Sequence, residues 1–155
     1  MRIVVDSNIV FSAILNSQEK IGQLLINGSK HFQFYTPALL EEEIKTHKNK
    51  IIKISGFSNE QFENIYKTVT GRIKFVEEVI ISDKYLFEAI DLVKDIDEND
   101  ALFVALTNHI NAQLWTGDKK LSKGLKRKGF SIIISTNELY ERFLAKQSLF
   151  KGRIK

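Results

Sequence analysis

The chain has 155 residues, of which 43% are hydrophobic and 27% are charged, and its formal net charge is +4. This length and composition fit a single ordered domain over residues 1–155 and exclude a disordered chain. The absence of cysteine excludes disulfides, thiolate metal sites and a cysteine nucleophile.

Membrane insertion and export are also disfavoured by the sequence. No apolar run approaches the roughly 18 residues that a membrane-spanning helix needs. The apolar stretch at the N-terminus is interrupted by Asp6 and Asn8, which a signal peptide would not tolerate. The sequence therefore predicts a soluble protein with no membrane partner, and its lack of cysteine fits a cytoplasmic location.

The hydrophobic periodicity and the turn residues predict strands that alternate with helices along the chain. Strands are expected at residues 2–5, 31–35, 75–81, 114–116 and 132–134. Helices are expected at residues 8–15, 19–26, 37–53, 58–69, 85–93, 100–109, 121–127 and 137–146. Because parallel strands need crossover connections, this order predicts an α/β fold, a three-layer α/β/α sandwich with a central, mainly parallel sheet.

Three local signals mark the ends of these helices. Thr36 followed by Pro37 is typical of a helix start, with the threonine as N-cap and the proline at the first helical position. Ser58 with Gln61 three residues later is a capping-box signature, and Gly28 is expected to close the second helix. The helix after Ser58 carries apolar residues on one face, which predicts packing against the core: Phe62, Ile65, Tyr66 and Val69.

Two of the predicted strands are followed by an aspartate. Asp6 comes directly after the first strand, and Asp118 comes shortly after the fourth. In open parallel sheets, ligands bind outside the carboxyl ends of the strands, near the point where the strand order reverses. Each aspartate also fits a structural role, Asp6 as a helix cap and Asp118 as a turn residue. Two strand ends of this kind favour a shared site.

The segment DIDENDALFVAL places two more acids, Asp97 and Asp100, at the start of a helix. Acids in the first turn are stabilised by the helix dipole, so capping alone could explain either of them. We assign the cap to Asp97. Asp100 then lies one turn before Val104 and is expected to face the sheet.

Three adjacent glutamates, Glu41, Glu42 and Glu43, lie in the third predicted helix. At about 100° per residue, the face that points inward is defined by four apolar residues: Leu39, Leu40, Ile44 and Ile51. Glu43 falls within this face, whereas Glu41 and Glu42 point away from it. A glutamate on the buried side of a helix is unfavourable unless it is paired or bound to a cation.

The four selected acids have positions that can surround one crevice: Asp6, Glu43, Asp100 and Asp118. Four carboxylates in one place repel each other unless a divalent cation holds them, and an all-oxygen ligand set favours Mg²⁺ or Mn²⁺ over zinc. The histidines lack the spacing of a zinc site and are interpreted as structural: His31, His47 and His109. A carboxylate-held Mg²⁺ or Mn²⁺ activates water for attack on phosphorus, which predicts a phosphate-bearing substrate.

Positive charge is concentrated between residues 119 and 128. Five side chains there are candidates for contacts with the phosphates of a nucleic acid: Lys119, Lys120, Lys123, Lys126 and Arg127. A basic segment beside an acidic site predicts an anionic partner. The alternative is a solvated helix face that carries lysines for solubility.

Four patterns, in this order along the chain, resemble the motifs of PIN-domain nucleases, the fold of many toxins of VapBC-type toxin–antitoxin pairs. They are VVDSNI with Asp6 and Asn8, TPALLEEEI with Glu43, DENDALFVAL with Asp100, and WTGDKKL with Thr116 and Asp118. The resemblance covers nearly the whole chain.

This resemblance implies a PIN-like fold and a Mg²⁺- or Mn²⁺-dependent endoribonuclease. It implies catalytic metal ligands at Asp6, Glu43, Asp100 and Asp118, supported by hydrogen bonds from Asn8 and Thr116, with Glu42 as the alternative to Glu43. It also implies RNA as the substrate, an antitoxin protein as partner, and a homodimer. The competing hypothesis is a non-catalytic RNA- or partner-binding module on the same fold.

Overall fold

The computed structural model describes the backbone of residues 1–154 and the side chains of residues 1–149, 151 and 152. Within these residues, a sheet is formed by β1 (Arg2–Val5), β2 (Gln33–Pro37), β3 (Ile73–Val76), β4 (Gln113–Trp115) and β5 (Ile133–Ile134). The α-helices are α1 (Ser7–Leu15), α2 (Lys20–Asn27), α3 (Leu39–Ser55), α4 (Asn59–Thr70), α5 (Asp83–Val93), α6 (Ala101–His109), α7 (Lys119–Arg127) and α8 (Thr136–Ile154). Short 3-10 turns occur at Gly28–Lys30, Glu78–Ile80 and Glu98–Asp100.

The sheet has the strand order β3-β2-β1-β4-β5, and every neighbouring pair is parallel. In the central strand, Val4 is in register with Tyr35 of β2 on one side and with Leu114 of β4 on the other. The chain leaves β1 toward β2 and later returns to the opposite side of β1 as β4. The strand order therefore reverses between β1 and β4, and the carboxyl ends of these two strands flank the position where open α/β sheets bind ligands.

Helices cover both faces of the sheet because side chains alternate along each strand. Ile3 and Val5 point to a core that also contains buried residues of α1, α2, α3, α4 and α8. Val4 points to the opposite core, which is shared with α5, α6 and α7. The predicted three-layer α/β/α sandwich is confirmed, and its sheet is entirely parallel. None of the helices described over residues 1–154 is long and apolar enough to cross a membrane.

Several predicted elements agree with the structure in position and cause. The first strand spans residues 2–5 as predicted, and it is buried from Ile3 to Val5. The capping box is present, since the Gln61 backbone N–H donates to Ser58 Oγ at 3.1 Å and the Ser58 N–H donates to Gln61 Oε1 at 2.8 Å. Phe62 and Val69 of the following helix are buried in the core, as the periodicity predicts.

The interpretation of Thr36 and Pro37 as a helix start is wrong. Both residues belong to β2, where Thr36 and Pro37 are in register with Phe75 and Val76 of β3. The Thr36 hydroxyl donates to the backbone oxygen of Val5 at 2.9 Å instead of capping a helix. A proline is tolerated at this position because the register of β2 with β1 ends at Tyr35, whereas bonding to β3 continues through the Ala38 N–H.

Other boundaries also differ from the prediction, and those of β3, α2 and α8 are the clearest cases. β3 ends at Val76, and the 3-10 turn Glu78–Ile80 occupies the second half of the predicted strand. Gly28 follows α2, but it has a right-handed conformation and continues into the 3-10 turn Gly28–Lys30. The last helix reaches Ile154 instead of residue 146, because no glycine cap or proline ends it earlier and Gly152 lies within it.

Candidate functional site

Asp6 begins the site at the carboxyl end of β1. Its backbone N–H donates to the Trp115 oxygen at 3.0 Å, which extends the pairing of β1 with β4 by one bond. Its Oδ1 accepts a 2.8 Å bond from the Ser7 N–H and caps α1, while its Oδ2 accepts a 2.6 Å bond from the Thr116 hydroxyl. The residue is 2% exposed. The helix-cap and ligand-site interpretations of Asp6 are thus compatible, because its two oxygens have different partners.

Thr116 lies directly after β4 and connects this segment to the one that follows β1. Besides donating to Asp6, its Oγ1 accepts a 3.1 Å bond from the Asp118 N–H and a long, 3.5 Å bond from Asn8 Nδ2. Asn8 Oδ1 in turn accepts a 3.2 Å bond from the Gly117 N–H. These hydrogen bonds hold the residues after β1 and the residues after β4 in one relative position. A site built from both segments requires such a fixed arrangement.

Asp118 is oriented by the start of α7. Its Oδ1 accepts a 3.0 Å hydrogen bond from the Leu121 N–H, so it is the N-cap of this helix. The side chain is partly buried and lines the same cavity as Asp6. Asp118 is therefore a helix cap with an extended backbone and not a turn residue, and its carboxylate lines the cavity.

Glu43 enters the cavity from α3. Leu40 and Ile44 of this helix are buried in the core, and Glu43 between them is half-buried and lines the cavity. Glu42 is exposed and lines a different surface depression together with Glu41. Helix geometry thus separates the adjacent glutamates as predicted, and Glu43 is the one beside Asp6.

Asp100 ends the 3-10 turn Glu98–Asp100, immediately before α6. Asp97, which the sequence predicts as the cap of the following helix, instead caps this turn by accepting a 3.0 Å bond from the Asn99 N–H. Oδ2 of Asp100 is buried and has no hydrogen-bond partner among the described residues. An unpartnered buried carboxylate oxygen is unfavourable in a folded protein, so this atom is available for a cation or a water molecule.

All four predicted acids line one cavity of about 480 Å³. Its lining consists of Asp6, Ser7, Asn8, Phe11, Leu39, Glu43, His47, Asp97, Asn99, Asp100 and Asp118. Ser7 and Asn99 have no site signal in the sequence, and Asp97 is predicted only as a cap. The interpretation of His47 as structural is wrong, since it lines the cavity. Leu39, predicted to face inward, is 36% exposed and also lines it. His47 lies four residues after Glu43 on the same helix face, a spacing that could have indicated its position.

Burial, and after it the neighbouring acids, raises the pKa values of three carboxyl groups. Burial is the main cause for Asp6, whose pKa is raised although the bonds from Thr116 and Ser7 oppose the increase. Burial also raises the pKa of Glu43, and the Asp6 charge adds to it. The pKa of Asp100 is raised to about 7 by burial and then by the charges of Asp6, Asp97, Asp118 and Glu43. The metal-free cavity therefore resists full ionisation.

The donor chemistry of the cavity fits a hard divalent cation. Its acids supply oxygen ligands, repel each other without a cation, and include the unpartnered oxygen of Asp100. In the described part of the chain, however, no three His, Asp or Glu side chains are arranged so that they could hold a metal as they stand. Metal binding therefore requires that carboxylates turn toward a common point.

The predicted basic residues lie on two sides of α7. Lys119, Lys123 and Lys126 line a cavity of about 330 Å³ whose wall includes Thr116 and Gly117. Lys120, Lys123 and Arg127 line a second cavity, of about 260 Å³, which also includes Asp95 and Ile96. Only the first of these two cavities includes Thr116 and Gly117, the two residues directly before Asp118.

Comparisons with known proteins agree with this architecture. The family model described as PIN domain matches residues 4–141. PAE2754 from Pyrobaculum aerophilum is similar in structure, with a TM-score of 0.66, 16% identity, and coverage of 94% of this chain and 90% of that chain. VapBC2 from Rickettsia felis, crystallised bound to a DNA fragment from their promoter, has a TM-score of 0.59, 19% identity, and coverage of 87% and 97%. No curated protein matches the sequence.

At 16% and 19% identity, the two solved structures show that the fold is shared and no more. The family model, in contrast, matches the sequence of the chain. It extends from β1 into α8 and includes each of the acids that line the cavity. PIN domains are generally nucleases, and they typically use divalent metal ions. The chain belongs to the PIN domain family.

Proposed function

We propose that this protein is a Mg²⁺- or Mn²⁺-dependent endoribonuclease. The observation that carries the proposal is the set of acids at the reversal point of the sheet, with a buried Asp100 oxygen that has no partner in the described residues. Asp6, Glu43, Asp100 and Asp118 would hold the ion. Family membership supports a nuclease, and the basic surface of α7 beside the acids supports a polyanionic substrate.

The protein's own groups have separable tasks in such a reaction. The bound ion would supply an activated water for attack on phosphorus and would neutralise charge on the leaving oxygen. The Thr116 hydroxyl, which donates to Asp6, keeps this carboxylate oriented, as second partners of metal ligands do. Asp6 and Asp118 are fixed by the N-termini of α1 and α7, so they need little reorganisation. Among the described residues, Asp100 Oδ2 has no partner and Glu43 bonds only to the Ser7 side chain, so these are the acids that would turn toward an ion.

A toxin role within a toxin–antitoxin pair is part of the proposal. It is supported by the VapBC-type motifs and by the structural similarity to Rickettsia felis VapBC2. In this role the protein would act on cytoplasmic RNA, form a homodimer and bind an antitoxin protein. Induced expression in a bacterial host is expected to arrest growth, and the Asp6→Asn variant is expected not to do so. Growth arrest by both proteins would contradict a toxin role based on cleavage.

The nuclease proposal is tested with purified protein and a panel of single-stranded RNAs in Mg²⁺ or Mn²⁺. The control is Asp6→Asn/Asp118→Asn, prepared identically. Asparagine is also a good N-cap, so this variant retains the caps of α1 and α7 while removing two charges. Cleavage by the wild type alone supports the proposal. Equal cleavage by both proteins indicates a contaminating nuclease.

The second candidate is a non-catalytic RNA- or partner-binding module on the same fold. It is favoured by one observation, namely that no three acids or histidines of the described residues stand ready to hold a metal. Calorimetry with Mn²⁺ separates the two candidates. Binding that Asp6→Asn weakens supports the nuclease, whereas no binding, together with no cleavage, supports the module.

A further inference from the structure

The nine residues of α7 carry basic side chains on two different faces. Lys119, Lys123 and Lys126 are spaced by four and three residues, so they lie within one narrow sector of the helix surface. Lys120 and Arg127 are seven residues apart and share a neighbouring sector. The two groups border different cavities, with Lys123 at the edge of both.

The cavity beside Lys119 and Lys126 lies next to the acidic site and is separated from it by a short backbone segment. Its wall includes Thr116 and Gly117, and the next residue, Asp118, lines the acidic cavity. Thr116 is also bonded directly to Asp6. A strand of nucleic acid that leaves the acids across Gly117 therefore enters the lysine-lined cavity next.

The chemistry of this cavity suits a phosphate group at one end. Lys119, Lys123 and Lys126 are exposed, and none of them forms an ion pair among the described residues. Glu138 is also part of the lining, but its Oε1 accepts hydrogen bonds from the backbone and hydroxyl of Ser135 at the start of α8. The negative charge is thus held at the end formed by α8, and the positive charge lies along α7.

The cavity beside Lys120 and Arg127 has a different character. Asp95 lies in it and pairs with Lys128, which also donates to the Leu92 oxygen at 2.8 Å. Ile96 packs closely against Gly124, since a Cβ placed on this glycine would lie 2.5 Å from Ile96 Cδ1. On this side, α7 therefore packs against Ile96 and lies beside the Asp95 carboxylate. Such a surface is unfavourable for a phosphate.

We propose that the cavity lined by Lys119, Lys123 and Lys126 is a substrate subsite that binds a backbone phosphate of single-stranded RNA, next to the one at the acids. Lys120 and Arg127 do not take part. This inference rests on the proposed RNA substrate and adds the path that the strand takes away from the acids. It divides the basic segment into residues that bind RNA and residues that do not.

The experiment compares two variants that remove the same charge from the same helix. Lys119→Gln/Lys126→Gln changes the subsite, and Lys120→Gln/Arg127→Gln is the matched control, with Lys123 left unchanged because it borders both cavities. All four side chains are exposed, and glutamine is a good helix former, so both variants are expected to fold. Thermal unfolding of each variant checks this expectation.

Binding of a fluorescein-labelled single-stranded oligoribonucleotide is measured by anisotropy in EDTA, at several salt concentrations. The subsite variant is expected to bind at least about 10-fold more weakly than wild type, and its salt dependence should be shallower by about 0.7 for each phosphate that it no longer neutralises. The control variant is expected to bind within about 3-fold of wild type. An equally weak control variant, a control variant weaker than the subsite variant, or no binding by the wild type would overturn the subsite.

This measurement does not depend on cleavage, so the two proposals fail separately. Selective weakening of RNA binding in Lys119→Gln/Lys126→Gln supports the subsite even if the wild type cleaves no RNA with Mn²⁺. Cleavage by the wild type with equal binding by both variants overturns the subsite and leaves the nuclease intact.

Discussion

The Thr116 hydroxyl donates a 2.6 Å hydrogen bond to Oδ2 of Asp6, and both residues are buried. The bond joins the segments after β1 and β4, at the point where the strand order of the sheet reverses. A hydrogen bond to a charged acceptor in a buried site contributes about 1.5 to 3 kcal/mol. It also opposes the effect of burial, which raises the pKa of Asp6. Thr116 therefore helps to keep Asp6 ionised.

Replacing Thr116 with valine preserves the side-chain shape and removes this donor. We expect Thr116→Val to raise the pKa of Asp6 further and to weaken Mn²⁺ binding by about 10- to 100-fold, as removal of a ligand's hydrogen-bond partner typically does. Calorimetry with Mn²⁺ at fixed pH measures the change in affinity. Thr116→Ser retains the hydroxyl and is expected to bind Mn²⁺ within about 3-fold of wild type. A serine variant as weak as the valine variant would show that the methyl group, not the hydroxyl, matters.

Asp100 makes the metal-free protein less stable at neutral and alkaline pH. Its ordinary pKa is 3.8, and in the folded chain it is raised to about 7. Between these values the folded chain holds a proton that the unfolded chain has released, so the free energy of unfolding falls as the pH rises. Because the side chain is partly solvated, we expect Asp100→Asn to stabilise the protein by about 1 to 2 kcal/mol at pH 8, with no gain near pH 4.

Urea unfolding in EDTA at pH 4 and pH 8 tests this effect of Asp100. Glu98→Gln is the matched control, because Glu98 belongs to the same 3-10 turn but is exposed and does not line the cavity. It is expected to change the free energy of unfolding by less than about 0.5 kcal/mol at either pH. A destabilised Asp100→Asn variant at pH 8 would contradict the unfavourable burial of a charged Asp100 among the other acids.

A divalent cation is expected to stabilise the fold, because it neutralises the acids that repel each other. At 100 times its dissociation constant, Mn²⁺ should contribute about 2.7 kcal/mol, which corresponds to roughly 5 to 10 °C in Tm for a chain of this size. The shift should be smaller at pH 5 than at pH 8, because protons compete for carboxyl groups whose pKa is raised.

Differential scanning fluorimetry with Mn²⁺ and with EDTA measures this shift. Asp6→Asn/Asp118→Asn is expected to show a shift of less than about 2 °C under the same conditions. A shift of equal size in wild type and in this variant would place the cation elsewhere on the protein.

Glu43 and Glu42 form a matched pair for testing the acid contributed by α3. Glu43 is half-buried in the cavity wall, whereas Glu42 is exposed and lines another depression. We expect Glu43→Gln to lower the rate of RNA cleavage by about 100-fold or more and Glu42→Gln to change it by less than about 2-fold. Single-turnover cleavage assays compare the two variants. The reverse order of effects would assign the motif to Glu42.

The order of elements and the grouping of acids could be predicted because both depend on local patterns. Alternating strands and helices require a parallel sheet, and a parallel sheet brings Asp6 and Asp118 to one edge. Helix periodicity is sufficient to separate Glu43 from Glu42. The same periodicity places His47 beside Glu43. A comparison of the three histidines with the spacing of zinc sites does not indicate this position.

Boundaries that depend on strand pairing could not be predicted from local patterns. Thr36 and Pro37 match a helix start, but Thr36 bonds to Val5 across the sheet, a contact between residues far apart in sequence. The end of β3 likewise follows from its pairing with β2, which stops at Val76. Val79 and Ile80 beyond it are apolar and match a strand pattern, but they are exposed. Tertiary pairing therefore overrides the local pattern at these positions.

The capping box of α4 offers a test of stability that is separate from function. Ser58→Ala removes the side-chain acceptor of the Gln61 N–H and is expected to lower the free energy of unfolding by about 1 kcal/mol. Because neither residue lines the acidic cavity, RNA cleavage at 25 °C should be unchanged. Ser58→Thr retains a capping hydroxyl and should be destabilised by no more than about 0.5 kcal/mol. Urea unfolding and cleavage assays on both variants provide the comparison, and impaired cleavage by folded Ser58→Ala would link α4 to the site.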